Sequence, residues 1–199
     1  MPMKRSFCIP MLCLLLLWSC KEDDDVLPNQ QQRIVSFLTS GHSPRLVAAE
    51  DLEEDSQLAF YTVAGNSVYR YIESWYNPER ANWPEVTATS KITITFRAYV
   101  FNFTAITDST MPYFSNDPLL EQAYYEAGLT PGAWSFEPMA LDMSSSDIIN
   151  GLRLALLGCR RGDTVEAYMT YNMAYGDDKF GIIPLESPIA VFFTVDSVE

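Results

Sequence analysis

The stretch from Lys91 to Phe101, KITITFRAYVF, constrains the fold more than any other part of the chain. Ile92, Ile94, Phe96, Ala98 and Val100 share one face, and Thr93, Thr95 and Arg97 fall on the other. Successive strand side chains point to opposite faces, so this period of two predicts a long strand with one side against a core. An apolar sheet face has to be covered by a second layer. The alternation recurs in Val68 to Ile72, in Met139, Leu141 and Met143, in Val165, Ala167 and Met169, and in Ile189, Val191, Phe193 and Val195. Ala64-Gly65-Asn66-Ser67 supplies a turn between Val63 and Val68.

Helical patterning is sparser. Asp147 to about Leu157 places Ile148, Ile149, Leu152 and Leu156 on one side and ends at Gly158. Asp117-Pro118 opens a second helix, with Asp as N-cap and Pro in the first turn, running through Tyr124 to Gly128. Ile34, Phe37 and Leu38 predict a short amphipathic helix over about 31–39, stopped by Gly41. Strands outnumber helices, and one helix lies centrally between strands. The expected fold is α+β, an antiparallel sheet wrapped around one central helix, with an N-terminal extension over 33–59 and a helical insertion at about 111–137.

The first residues carry a different signal. Lys4 and Arg5 precede an apolar run from Phe7 to Trp18, which is too short to be read as a stable membrane span. Its end, Leu17-Trp18-Ser19-Cys20, resembles the lipobox of bacterial lipoproteins. That resemblance implies cleavage after residue 19 and acylation of Cys20, so that membrane attachment is through lipid only. Lys21-Glu22-Asp23-Asp24-Asp25 follows, within an acidic tether over 20–32, and is similar to the export tag of surface lipoproteins. Outward display on the outer membrane is the expectation, with the periplasmic face as the alternative.

Loss of residues 1–19 leaves 11 basic against 26 acidic side chains, a net charge of about −15. A nucleic-acid partner is excluded on that balance, because phosphate contacts need a basic surface. Cys159 is the one thiol left after the signal and the lipid site, so no disulfide framework is available. One histidine, His42, one free cysteine and no ligand spacing predict no metal and no cofactor. Residues 60–199 are sufficient for one self-contained domain, expected as a monomer.

Several short motifs then fall in a telling order. Asp147-Ile148-Ile149-Asn150-Gly151-Leu152 is followed by Arg161-Gly162-Asp163, Tyr175-Gly176, Gly181-Ile182-Ile183-Pro184 and Ser187-Pro188. Together they resemble the FKBP-type peptidyl-prolyl cis–trans isomerases, over roughly Phe60 to the C-terminus. Upstream, Phe96 resembles the family's first pocket tyrosine and Asp108-Ser109-Thr110 its Asp-Ser-Ser turn. The resemblance implies isomerisation of X–Pro bonds in proline-containing polypeptide segments, as a foldase of the cell envelope. It implies that the Ile149 N–H and the Tyr175 hydroxyl hold substrate carbonyls and that Asp108 faces the groove. Phe96, Met139, Ile148, Leu152 and Val191 would line the prolyl pocket, with Ile182 and Ile183 as an exposed wall that a ligand covers.

The chain departs from the family pattern where rings are expected. Leu152 stands in place of tryptophan, Phe96 lacks a hydroxyl, Met139 and Val191 replace aromatics, and Thr107 precedes Asp108 where the family has an aromatic. A softer pocket pins a prolyl ring less well, which lowers rate before it abolishes binding. A non-catalytic module that binds a peptide or glycan through the groove, or through Trp75, Trp83 and Trp134, is the alternative. A glycosidase using Glu53 and Glu54 is disfavoured, since adjacent carboxylates arise by chance among 26 acidic residues.

Overall fold

The computed structural model describes residues 25–47, 61–129 and 135–199. The export signal, Cys20, Glu53, Glu54 and Trp134 lie outside the described residues. In chain order the elements are helix α1 (Val26–Ser36) with a π-helical turn (Phe37–Gly41), strands β1 (Tyr61–Ala64), β2 (Val68–Ile72), β3 (Lys91–Val100) and β4 (Phe114–Ser115), then helix α2 (Glu121–Glu126). Strand β5 (Met139–Asp142), helix α3 (Asn150–Leu156), strand β6 (Thr164–Met169) and strand β7 (Ile189–Val198) complete it.

The seven strands form one antiparallel sheet in the order β1-β2-β6-β7-β3-β4, and β5 pairs with the other end of β3. Strand β4 meets β3 at Arg97 and Ala98, whereas β5 meets it from Lys91 to Ile94. The step between these partners is filled by the buried Asn116. Its amide donates to the carbonyls of Ile94 (2.8 Å) and Glu137 (3.0 Å), and its carbonyl accepts from the Phe96 N–H (2.6 Å). The insertion therefore leaves and rejoins the sheet edge at one stitched point. Asp117 caps it through the Leu119 N–H (2.9 Å), and the chain makes one 3₁₀ turn, Pro118–Leu120, before α2.

The alternating faces match the sequence pattern. Ile92 and Ile94 of β3, Val165, Ala167 and Met169 of β6, and Ile189, Val191, Phe193 and Val195 of β7 are buried on the inner face, with α3. Helix α3 is shorter than the pattern from Asp147 suggests. The Ser145 and Asp147 side chains hydrogen-bond each other (2.9 Å) and the Ser145 hydroxyl accepts from the Asp147 N–H (3.1 Å). Local bonds of this kind compete with helix, and the chain turns through residues 146–148 before the helix opens after Ile149 (φ −55, ψ 142).

Arg70 of β2 fixes the other end of α3. Only 6% exposed, it donates from Nη1 to the carbonyls of Ala155 (2.8 Å) and Leu157 (2.6 Å), and from Nε to the Tyr61 hydroxyl (2.9 Å). The final carbonyls of a helix lack intrahelical donors and carry partial negative charge, so a cation there is favourable.

The outer face of the sheet is covered as well. Ile34, Phe37 and Leu38 pack on Tyr69, Tyr99, Phe101, Tyr168 and Ala190. The expected helix over 31–39 is thus the second half of a longer element. His42, just beyond it, lies against the Phe37 ring (5.3 Å) with Nε2 3.5 Å from the Glu166 carboxylate.

Two outcomes follow. Arg70→Met removes charged hydrogen bonds from buried carbonyls and should cost about 3 kcal/mol by urea denaturation. The His42 pKa is raised above 6.5, chiefly by its hydrogen bond to Glu166. A raised folded pKa gives stability that is complete below pH 6.5 and lost as pH climbs through the folded value. The stability gap between wild type and His42→Gln should therefore be larger at pH 5.5 than at pH 8.5.

Candidate functional site

Seven residues of α-helix span roughly 10 Å, whereas six strands side by side span about 24 Å. Helix α3 packs mainly on β1, β2 and β6, and its start, at Leu152, meets the β3–β5 side of the inner face. What remains there is a cavity of about 290 Å³, close to the lower bound of the roughly 300–1,000 Å³ of small-molecule sites.

Its walls come from six places. Strand β3 contributes Ile94, Phe96 and Ala98, β7 contributes Ile189 and Val191, and β5 contributes Met139 and Leu141. Ile148, Ile149 and Leu152 enter from the start of α3. Phe114 of β4 and two residues of the β6–β7 loop, Tyr175 and Phe180, close the remaining side. Met139 and Phe180 are both lining and substantially exposed, so the cavity opens to solvent between them. Asp147 is the one ionisable acid in the wall and stands exposed at the rim.

The loop is shaped by close packing. Tyr175 stacks on Phe180 with ring centroids 4.3 Å apart and planes within 6°, and Phe114 meets Phe180 edge-on at 5.6 Å. Gly181 takes φ +58, and a Cβ there would lie 3.3 Å from Phe114 Cζ, so a side chain would strain the turn and press the wall ring. Ile183 donates to the Phe180 carbonyl (2.9 Å), closing the tip. Tyr175 is half-buried, and burial raises its pKa. Its hydroxyl makes no hydrogen bond with any of the described residues. Ile149 precedes the first turn of α3, where backbone N–H groups have no intrahelical acceptor.

The structure brings Phe96, Met139, Ile148, Ile149, Leu152, Val191 and Tyr175 into one cavity. Three expectations need correction. Ile183 is 1% exposed and belongs to the core, because the 180–183 turn points it inward; only Ile182, at 62%, is displayed, and it does not line the cavity. Asp108 does not face the cavity. It sits in the exposed Thr107–Thr110 turn, and its charge is felt by Tyr99, on the outer face of β3, whose pKa is raised mainly by burial. Phe114, not the residue before Asp108, supplies the aromatic wall beside β3, and a buried serine, Ser115, follows it. Sequence reasoning missed Phe114 because Pro112-Tyr113-Phe114 was assigned to the insertion, and missed Phe180 because it precedes the Gly-Ile-Ile-Pro motif. Trp75 is partly buried and packs on Tyr61 (5.2 Å) and Arg80 (5.1 Å). Among the described residues no group of three His, Cys, Asp or Glu side chains is placed to hold a metal ion.

No protein-family model matches the sequence, and no curated protein matches it. Solved structures do match. The three FKBP domains of wheat FKBP73 align at 13% identity over 72% of this chain and 52% of that chain, with TM-score 0.51. The N-terminal domain of FKBP42 from Arabidopsis thaliana aligns at 13% identity over 74% of this chain and 95% of that chain, with TM-score 0.47. A multi-domain immunophilin from Arabidopsis thaliana gives 14%, 74%, 47% and 0.47 for the same quantities. The chain has an FKBP-like fold. Similarity at this identity extends to the fold alone.

The start of α3 is under a tight steric limit. A Cβ on Gly151 would lie 2.5 Å from Met169 Sδ and 2.8 Å from the Met173 carbonyl, just before Tyr175 in the chain. Overpacking against backbone costs about 1–3 kcal/mol. Gly151→Ala should lower stability by that amount and shift the Tyr175 ring resonances in the NMR spectrum.

Proposed function

We propose that this protein is a peptidyl-prolyl cis–trans isomerase of the bacterial cell envelope, anchored by lipid on Cys20 and facing outward from the outer membrane. The observation that carries the enzymatic part is the open apolar cavity with the Tyr175 hydroxyl on one wall and Ile149 on another. The lipobox-like Leu17-Trp18-Ser19-Cys20 and the acidic run behind it support the location.

Rotation about an X–Pro bond meets a barrier of about 18–20 kcal/mol because amide resonance must be broken. At the twisted geometry resonance is lost and the carbonyl is less polar than in the planar ground state. A dry apolar cavity therefore favours the twisted form, and each 1.36 kcal/mol of that difference is a factor of ten in rate. No nucleophile and no acid–base pair is required. The prolyl ring enters between Phe96, Leu152 and Val191, with Leu152 as the floor. The Ile149 N–H and the Tyr175 hydroxyl hold the flanking carbonyls, and Phe114 and Phe180 close the side. Asp108 has no part in this arrangement.

Leu152 provides less ring contact than an aromatic floor would, so the same cavity also suits a binding module that holds prolyl segments without turning them over. One assay separates these functions. Cis–trans relaxation of a proline-containing tetrapeptide should be faster with the protein than without it. Tyr175→Phe should reduce the acceleration about fivefold, the worth of one hydrogen bond of roughly 1 kcal/mol, and Leu152→Trp should increase it. Identical relaxation with and without protein would leave only the binding module, read by saturable binding of the same peptide.

A further inference from the structure

The N-terminal helix lies outside the part of the chain that resembles a known family, yet it reaches the loop that carries Tyr175. Gln30 of α1 is 7% exposed, with both ends of its amide engaged. Its Nε2 donates to the Glu186 carbonyl (2.7 Å), and its Oε1 accepts from the Tyr171 N–H (2.9 Å). Tyr171 and Glu186 are the two stems of the β6–β7 loop. Within the loop, the Gly176 N–H donates to the Tyr171 carbonyl (2.9 Å), and the Glu186 N–H donates to the Gly176 carbonyl (3.1 Å). Gln30, Tyr171, Gly176 and Glu186 thus form a closed ring of four hydrogen bonds, and Tyr175 is bonded in the chain to a member of it.

The ring holds backbone that would not keep its shape alone. Glu186 has φ +52, a region disfavoured for a residue with a side chain, and Gly176 has φ +63. Such conformations persist where their surroundings over-determine them. For Glu186 the determinants are its N–H on Gly176 and its carbonyl on Gln30. Helix α1 can serve as the fixed post because it is itself anchored. Ile34 is fully buried on the outer face, Gln31 donates to the Ser67 hydroxyl (3.1 Å), and the Arg33 guanidinium lies 3.8 Å from the Phe103 ring centroid.

We infer that Gln30 is a positioning residue for the cavity: through this ring the N-terminal helix fixes the β6–β7 loop and, with it, the Tyr175 and Phe180 wall. The effect on substrate rests on the proposed prolyl site; the effect on the loop does not. The N-terminal helix is then part of the site's architecture, so that loss of its contact through Gln30 leaves Tyr175 loosely held.

The test compares Gln30→Ala with Val195→Ala, which weakens the inner-face packing toward the far end of β7 and leaves α1 and the ring intact. Three quantities are read well below the melting temperature: amide hydrogen exchange at Gly176 and Glu186, the Tyr175 ring resonances, and affinity for a prolyl tetrapeptide. Gln30→Ala should accelerate exchange at both amides, shift the Tyr175 resonances toward averaged values, and weaken peptide affinity about fivefold, as expected for loss of one positioning hydrogen bond. Val195→Ala should lower the melting temperature while leaving all three at wild-type values. The inference is overturned if Gln30→Ala leaves exchange and the Tyr175 resonances unchanged, or if Val195→Ala moves them equally. Absence of peptide binding by the wild type would end the prolyl-site proposal, and exchange and the Tyr175 resonances would still decide the role of Gln30.

Discussion

The seating of α3 on the sheet is the constraint from which the rest of the molecule follows. Arg70 reaches from β2 to the last carbonyls of that helix, where the backbone has acceptors and no donors of its own. A buried guanidinium is costly unless its donors are used, and here two backbone carbonyls and a tyrosine hydroxyl use them. This pins the C-terminal end of α3 above β2. At the other end, Gly151 lets the first turn come within contact of Met169 and the Met173 carbonyl. A seven-residue helix held at both ends covers one side of the inner face and leaves the other uncovered.

What surrounds the cavity suits a neutral, resonance-altered substrate better than a charged one. The wall is apolar apart from Tyr175 and the rim carboxylate of Asp147. Burial disfavours the charged form of Tyr175, so its hydroxyl remains a donor well above neutral pH. Phe180 stacks flat on the Tyr175 ring and covers one face of the phenol. Under the proposed function, that apolar wall and the Tyr175 hydroxyl are what rotation about an amide would ask for.

Much of this was legible from residue order. Period-two alternation located the inner faces of β3, β6 and β7 because each strand is buried on that side, and a one-residue slip would expose the whole set. Phe96, Leu152 and Val191 were legible for the same reason, aided by the motif order around α3. The failures are physical as well. Asp108 lies within the chain excursion between β3 and β4 and Phe114 at its return, and the sequence does not say where the chain rejoins β3; the answer depends on Asn116, a polar residue whose three hydrogen bonds have no periodic signature. Ile183 turns inward because Gly181 adopts a positive φ, which inverts the facing of the next residues. Tyr99 and Phe101, aromatic on the otherwise polar face of β3, were the visible hint that something covers the outer face. That α1 does so, and that Gln30 then reaches the loop, depends on two residues 141 and 156 positions away from it.

The central claim is that the space between α3 and β3 admits a prolyl ring, and intermolecular nuclear Overhauser effects test it directly. With the protein saturated by a short proline-containing peptide, the ring protons of proline should show contacts to the methyl groups of Leu152 and Val191 and to the Phe96 ring. Contacts confined to the outer face or to the α2 insertion, with Leu152 and Val191 unperturbed at saturation, would contradict it.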